Sequence, residues 1–108
     1  MKFKTKYCEA NDAYFKTGRY NNGNLALEVW SRAEGPLCVC TVNPGFPIPP
    51  THIAVKNYSE NEGMEQALRD LDIIGEQTGI IPSGFVEIPV FLLTENGRAL
   101  FDTGNEEP

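Results

Sequence analysis

Four of the chain's eight prolines fall within seven residues, PGFPIPP at positions 44–50. Proline lacks the backbone N–H and fixes φ, so no helix interior or central strand accommodates that density. The block has to be a stiff surface loop, and regular structure must lie on either side of it.

Before the loop, turn signals cut the chain into short units. AYFKTGRY (13–20) and LALEVWSR (25–32) flank NNGN, where Gly23 and its asparagine neighbours supply positive φ, the signature of a hairpin. Leu25, Leu27 and Val29 alternate with Ala26, Glu28 and Trp30, the period-two pattern of a half-buried strand. AEGP (33–36) turns into LCVCTVN (37–43), with Leu37, Val39 and Thr41 on one face and Cys38, Cys40 and Val42 on the other. The expectation is a three-stranded meander. Beyond the loop, residues 53–58 are suited to a short edge strand.

The helical period appears in NYSENEGMEQALRDLD (57–72). Met64, Ala67, Leu68 and Leu71 follow i, i+3, i+4, i+7 spacing, one apolar stripe. Ser59 and Glu62 have the form of a capping box, Asn61 is a rival N-cap, and Gly75 is a plausible stop. The spacing predicts a helix over 60–72. GEQTGIIPSG (75–84) reads as a Gly-rich connector. In FVEIPVFLLT (85–94), Val86, Ile88, Val90 and Leu92 share a face, and Phe85, Phe91 and Leu93 mostly fill the other. Such a strand is central or covered by a helix, with Pro89 marking a bulge or a locally free edge. ENGR (95–98) carries a hairpin signal that would return ALFDT as a last strand. The expected fold is α+β: an antiparallel sheet of five or six strands with one short amphipathic helix packed on a face. Residues 1–108 form a single domain, with 1–12 a loose basic arm and 104–108 a frayed acidic tail.

Charge bounds the function. The formal net charge is −6, distributed as +3 over residues 1–19 and −9 over the remainder. Affinity for nucleic acid rests on clustered Lys and Arg, so this balance argues against direct nucleic-acid binding. An acidic body is instead drawn to a basic protein surface. No apolar run approaches the roughly 18 residues that span a bilayer. The first residues also lack the apolar stretch of a secretory signal, which makes a cytoplasmic location the expectation and a membrane partner unexpected.

Residues able to carry chemistry are sparse. His52 lies beside prolines with no local carboxylate or nucleophile, and is expected as an exposed loop residue. Cys38 and Cys40 with a distant Cys8 and one histidine make a poor zinc set, and three cysteines without a C-x-x-C suggest buried small apolar side chains. Asp70 and Asp72 could pair on a divalent cation only beyond the helix end. P-x-x-P spacings at 44/47 and 47/50 lack flanking basic residues and read as loop stiffeners. Phosphate-binding glycine loops and the G-x-S-x-G elbow do not occur. No cofactor or metal is expected.

Glu60, Glu62 and Glu65 crowd the start of the predicted helix, where the macrodipole favours negative charge, and Glu65 can pair with Arg69. Asp70 and Asp72 oppose the dipole at its end, a departure worth about 0.3–1 kcal/mol per charge. With Glu76, the residues Glu60, Glu62, Glu65 and Asp72 form the candidate partner-binding face.

GRYNNGNLALEVW (18–30), TVNPG (41–45), NYSENEGMEQAL (57–68) and SGFVEIPVFLL (83–93) together resemble the domain-of-unknown-function family numbered 4313, small bacterial proteins. The resemblance covers roughly residues 14–93, and the return ALFDT departs from it. It implies a setting on plasmids, conjugative elements or phages and carries over no activity. The expectation that results is a non-enzymatic protein, monomeric or weakly dimeric. It would bind the basic surface of a nucleic-acid-handling host protein, such as a CRISPR effector, as an anti-defence inhibitor. One alternative is an assembly protein of the element, self-associating through the Trp30 side or the last hairpin. Another is a small thiol or hydrolytic enzyme with a site assembled from Cys8, His52 and carboxylates.

Overall fold

The computed structural model describes residues 1–103, so the expected frayed tail at 104–108 lies outside the described residues. Strands β1 (Phe3–Lys4) and β2 (Glu9–Ala10) form a small hairpin. Strands β3 (Ala13–Arg19), β4 (Leu25–Ser31) and β5 (Gly35–Val39) form the expected meander. A third sheet has the order β6 (His52–Ala54), β8 (Val86–Leu93), β7 (Ile74–Ser83), all antiparallel. Two helices complete the chain, α1 (Met64–Asp70) and α2 (Glu95–Thr103). The α+β class with antiparallel pairing is as expected, but eight strands divide among three sheets instead of five or six in one. No helix among the described residues is long and apolar enough to cross a membrane.

The alternation in β4 does what its pattern requires: Leu25, Leu27, Val29 and Ser31 are buried while Ala26, Glu28 and Trp30 are half-buried. They face a core that also takes Phe3, Phe15, Met64, Leu68, Phe91 and Leu93. A smaller cluster of Ala54, Ile88 and Val90 lies on the other face of β8, so that strand is central and apolar on both sides, as read. Pro89 is tolerated there because its carbonyl accepts the Val55 N–H (3.0 Å) just past the end of β6, where no ladder donor is needed.

The segment after β5 joins the two larger sheets. Cys40 N–H bonds Leu27 C=O of β4 (2.8 Å), Val42 N–H bonds Ala54 C=O of β6 (3.0 Å), and Thr41 bridges Val55. The proline loop then packs back on the β3–β4 turn through buried Asn24. Its amide donates to Phe46 C=O (2.9 Å), and its side-chain oxygen accepts the Ile48 N–H (2.9 Å).

Four expectations need correction. The predicted helix over 60–72 is a 3-10 turn (Ser59–Asn61) followed by α1, and the capping box does not form. Gly63, at φ +95°, occupies the N-cap, and Asn57 Oδ1 accepts the Glu65 N–H (2.8 Å) in place of a capping side chain. Asn61 is no cap either, because it is buried and donates to Val39 C=O. The helix stops at Asp72 rather than Gly75. Asp72 sits at φ +58°, with its N–H on Arg69 C=O (3.0 Å) and the Ile73 N–H on Leu68 C=O (2.9 Å), the paired bonds of a Schellman ending. Aspartate tolerates that left-handed position better than most residues, which accounts for an acid at this end of the helix.

The connector at 75–84 is most of β7, and ENGR–ALFDT is α2 rather than a hairpin and strand. Thr94 starts α2: its hydroxyl accepts the Gly97 N–H (3.0 Å) and its backbone carbonyl accepts the Arg98 N–H (2.9 Å).

The loose arm is likewise part of the fold. Phe3 is 1% exposed, and Lys6 N–H bonds Glu62 C=O (3.0 Å). Asp12 knots the next corner by accepting from Ser31 Oγ (2.9 Å) and the Ala33 N–H (3.0 Å). Those bonds, the Ala33 N–H foremost, hold its carboxyl below the usual range. A depressed carboxyl contributes stability above its unfolded value near pH 3.9 and loses it as pH falls through the lower folded value. Asp12→Asn should therefore lower Tm at neutral pH, with the difference from the parent chain closing below about pH 3. Thermal melts between neutral and acid pH check this, and a gap independent of pH contradicts it.

Candidate functional site

The acids of the candidate face are consumed to different degrees by their own chain. Glu60 pairs with Lys56 four residues earlier, and this contact lowers the Glu60 carboxyl and raises the Lys56 ammonium. Glu62 pairs with Lys6 of the β1–β2 turn at 3.1 Å, and that hydrogen bond raises the lysine. Glu65 takes Arg69 at 3.2 Å, in the i, i+4 arrangement foreseen. Arg69 also donates to Gly75 C=O (2.9 Å) and lies 5.2 Å from the centre of the Phe91 ring. Each acid at the start of the helix thus has its own cation: one from the arm, Lys6, and two from nearby in sequence, Lys56 and Arg69.

Asp72 and Glu76 differ. Both are exposed, and neither side chain is in an ion pair among the described residues. Asn96 of α2 donates to the Asp72 backbone carbonyl (3.2 Å), which places Glu95, beside Asn96, close to the same turn. Residues 70–97 hold five acids (Asp70, Asp72, Glu76, Glu87, Glu95) and no Lys, Arg or His. A run of acids without an interspersed base is therefore carried by the α1 ending, the β7–β8 hairpin and the start of α2.

That hairpin also bears the feature missed in the sequence. Ser83 pairs with Val86, so Gly84 and Phe85 make a two-residue turn, with Gly84 at φ +60° as a type II′ turn requires. Phe85, expected to fill the second face of the strand, stands fully exposed at the tip, and Ile80 is 52% exposed on β7. The signal was the dipeptide Ser-Gly before Phe85, which marks a turn and removes Phe85 from the strand's alternation. β7 lies at the sheet edge, with Glu76, Gln77 and Thr78 exposed and register irregularities at Gln77 and Gly79.

Other candidates are separated in space. His52 begins β6 opposite Leu92 and is half-buried, not a free loop residue; its ring Nδ1 shares a hydrogen bond with the Thr51 hydroxyl (3.0 Å). No thiol or carboxylate hydrogen-bonds to His52 among the described residues. A half-open cleft of about 440 Å³ lies between β3 and α2, lined among others by Tyr14, Phe15, Arg32, Ile73, Asn96 and Leu100. Its lining includes no thiol, imidazole or carboxylate side chain. Trp30 is half-buried: its indole N–H donates to Glu28 (2.8 Å) and the Lys16 ammonium sits 3.7 Å from its ring centre. Among the described residues no group of His, Cys, Asp and Glu is arranged to hold a metal ion. Comparison with known proteins adds nothing to this geometry: no family model, curated protein or solved structure matches the chain.

Proposed function

We propose that this chain is a non-enzymatic binding protein that sets an acidic, aromatic-tipped hairpin against the basic surface of a nucleic-acid-handling protein and inhibits it. The observation that carries the reading is the β7–β8 hairpin, where Phe85 and Ile80 are exposed within a stretch of five acids and no base. An exposed aromatic side chain supplies the desolvated anchor on which interface energy concentrates. Glu87 near the tip, with Asp72 and Glu76 toward the base of the hairpin, supplies long-range attraction and sets orientation. Glu60, Glu62 and Glu65 remain open to the same partner, since exposed ion pairs are worth at most about 1 kcal/mol and exchange partners readily. The resemblance to proteins of plasmids, conjugative elements and phages agrees with an anti-defence inhibitor, a CRISPR effector being one such target.

The partner captured from a host extract is purified and its affinity measured with two variants. Phe85→Ser, and Asp72→Lys with Glu76→Lys and Glu87→Lys, should each weaken binding by about tenfold or more, and the parent affinity should fall as salt rises. Affinity unchanged in both variants and flat with salt rejects the proposal.

The open β7 edge favours a second reading, self-association by strand addition. A concentration-dependent dimer in sizing chromatography that Phe85→Ser and Ile80→Thr abolish would select it over the first.

A further inference from the structure

The half-open cleft of about 440 Å³ between β3 and α2 lies apart from the β7–β8 hairpin, since no residue of either strand is in its lining. Its position follows from the topology. β3 is an outer strand of the meander, and Tyr14 and Phe15 leave opposite faces of it. Both reach the cleft, so the cavity runs along that strand's outer edge. Met1 stands at the same edge, donating from its amino nitrogen to Ala13 C=O (2.9 Å) and accepting the Ala13 N–H (2.9 Å). The opposite wall is α2, tied to the α1 ending by Asn96, which donates to Leu71 C=O (3.4 Å) and Asp72 C=O (3.2 Å). Ala99 lines the cleft from this helix with a single methyl, which leaves the space between the elements unfilled.

The lining divides by polarity. Ala13, Phe15, Ile73 and Leu100 are buried and apolar and make the floor, with half-buried Leu71 beside them. Arg32 is exposed, and its guanidinium is in no ion pair or side-chain hydrogen bond among the described residues. Its backbone is fixed, because the Arg32 N–H donates to Asp12 C=O (3.3 Å) and continues the β3–β4 ladder by one pair. The Asp12 carboxylate is taken up by the Ser31 hydroxyl and the Ala33 N–H, and the lining holds no carboxylate. A smaller recess sharing Leu71 adds Lys2 and Lys4 against Asp70. In a chain of net charge −6, this corner sets a cationic rim over an apolar floor.

We propose that the cleft binds a small amphipathic monocarboxylate of the medium-chain fatty acid class, its carboxylate on Arg32 and its alkyl chain on the floor. The volume falls within the range of about 300–1,000 Å³ typical of small-molecule sites. A guanidinium offers a planar fork that takes both oxygens of one carboxylate. Removing the alkyl chain from water supplies the remaining driving force. A neutral apolar molecule leaves Arg32 without a counter-charge, and a bare anion leaves the floor unused. A molecule carrying both parts uses both halves of the lining.

The test titrates the full-length chain with octanoate, hexanoate, octanol and acetate and follows backbone amide resonances. Octanoate should shift Tyr14, Arg32, Ile73 and Ala99 saturably, about tenfold more tightly than hexanoate, through the lost methylenes. Octanol should bind about tenfold more weakly than octanoate, through the lost charge-assisted hydrogen bonds. Acetate should leave these amides in place. Arg32→Gln should bring octanoate and octanol to the same affinity, and Ala99→Trp should fill the cleft and abolish both. Octanoate that leaves these amides unmoved, octanol that matches it on the parent chain, or acetate that shifts the same amides would overturn the proposal. So would a preference for octanoate that survives Arg32→Gln. Should Ala99→Trp fail to fold, the comparison of ligands on the parent chain and Arg32→Gln decides.

Discussion

Phe3→Ala is expected to cost about 3–5 kcal/mol of folding stability, the range for removing a buried phenylalanine. Phe3 is among the largest side chains with essentially no exposure, and it packs with Leu27, Met64 and Leu68 in the main core. Domains of this size hold about 5–15 kcal/mol in total, so the loss takes a large share of the native state's margin. Urea titration should show the midpoint falling steeply, and Tm dropping by roughly 15–20 °C. A loss below about 1 kcal/mol would mean that the first twelve residues are an appendage after all. Lys6→Ala, in the same segment, bears on an exposed ion pair and should change stability by no more than about 1 kcal/mol.

Gly97→Ala is the second large effect, and its sign runs against helix propensity. In an open helical site the change gains up to about 1 kcal/mol. Here a Cβ would stand 2.3 Å from the Ile73 carbonyl oxygen and 3.2 Å from both its carbon and Leu93 Cδ2. The carbonyl cannot retreat freely, because it already accepts the Thr94 N–H (3.1 Å) and the Thr94 hydroxyl (3.3 Å). Overpacking against backbone costs about 1–3 kcal/mol, sometimes more, which outweighs the propensity gain. With a backbone approach this close the cost lies at the upper end, and the expected net loss is about 2 kcal/mol, read as a shift in the denaturant midpoint. A stabilised variant would show that α2 does not seat on Ile73.

These two sites mark where sequence reading ran out. The meander and the α1 stripe were legible because one face of each is buried and the other wet, so periodicity reports burial directly. β7 has no such contrast: apart from Ile74 it has no buried residue, so its ten residues read as a connector. In α2, Asn-Gly mimics a hairpin turn, while the helical evidence lies in the Thr94 cap and in Gly97, Leu100 and Phe101 at i, i+3, i+4. The glycine is there for close packing, a purpose that composition does not reveal. The arm carried an alternating Phe3–Thr5 pattern too short to weigh against its lysines.

Of the candidate face, the acids were identifiable from sequence, and so was the Glu65–Arg69 pair. The claims of Lys56 and Lys6 on Glu60 and Glu62 depend on the 3-10 turn and on an arm some 56 positions away.

The stretch from Cys40 to Val42, which leaves one sheet and enters the other, imposes an order of assembly. β3–β4 and β7–β8 are ribbons closed by short turns, and loop-closure entropy lets such local pairings form early. Neither ribbon owns an interior, because Leu27 and Phe91 belong to one shared core. Docking them through the Cys40–Val42 suture is therefore the slow event, and the first ribbon of the nascent chain stays wet until the second has been synthesised.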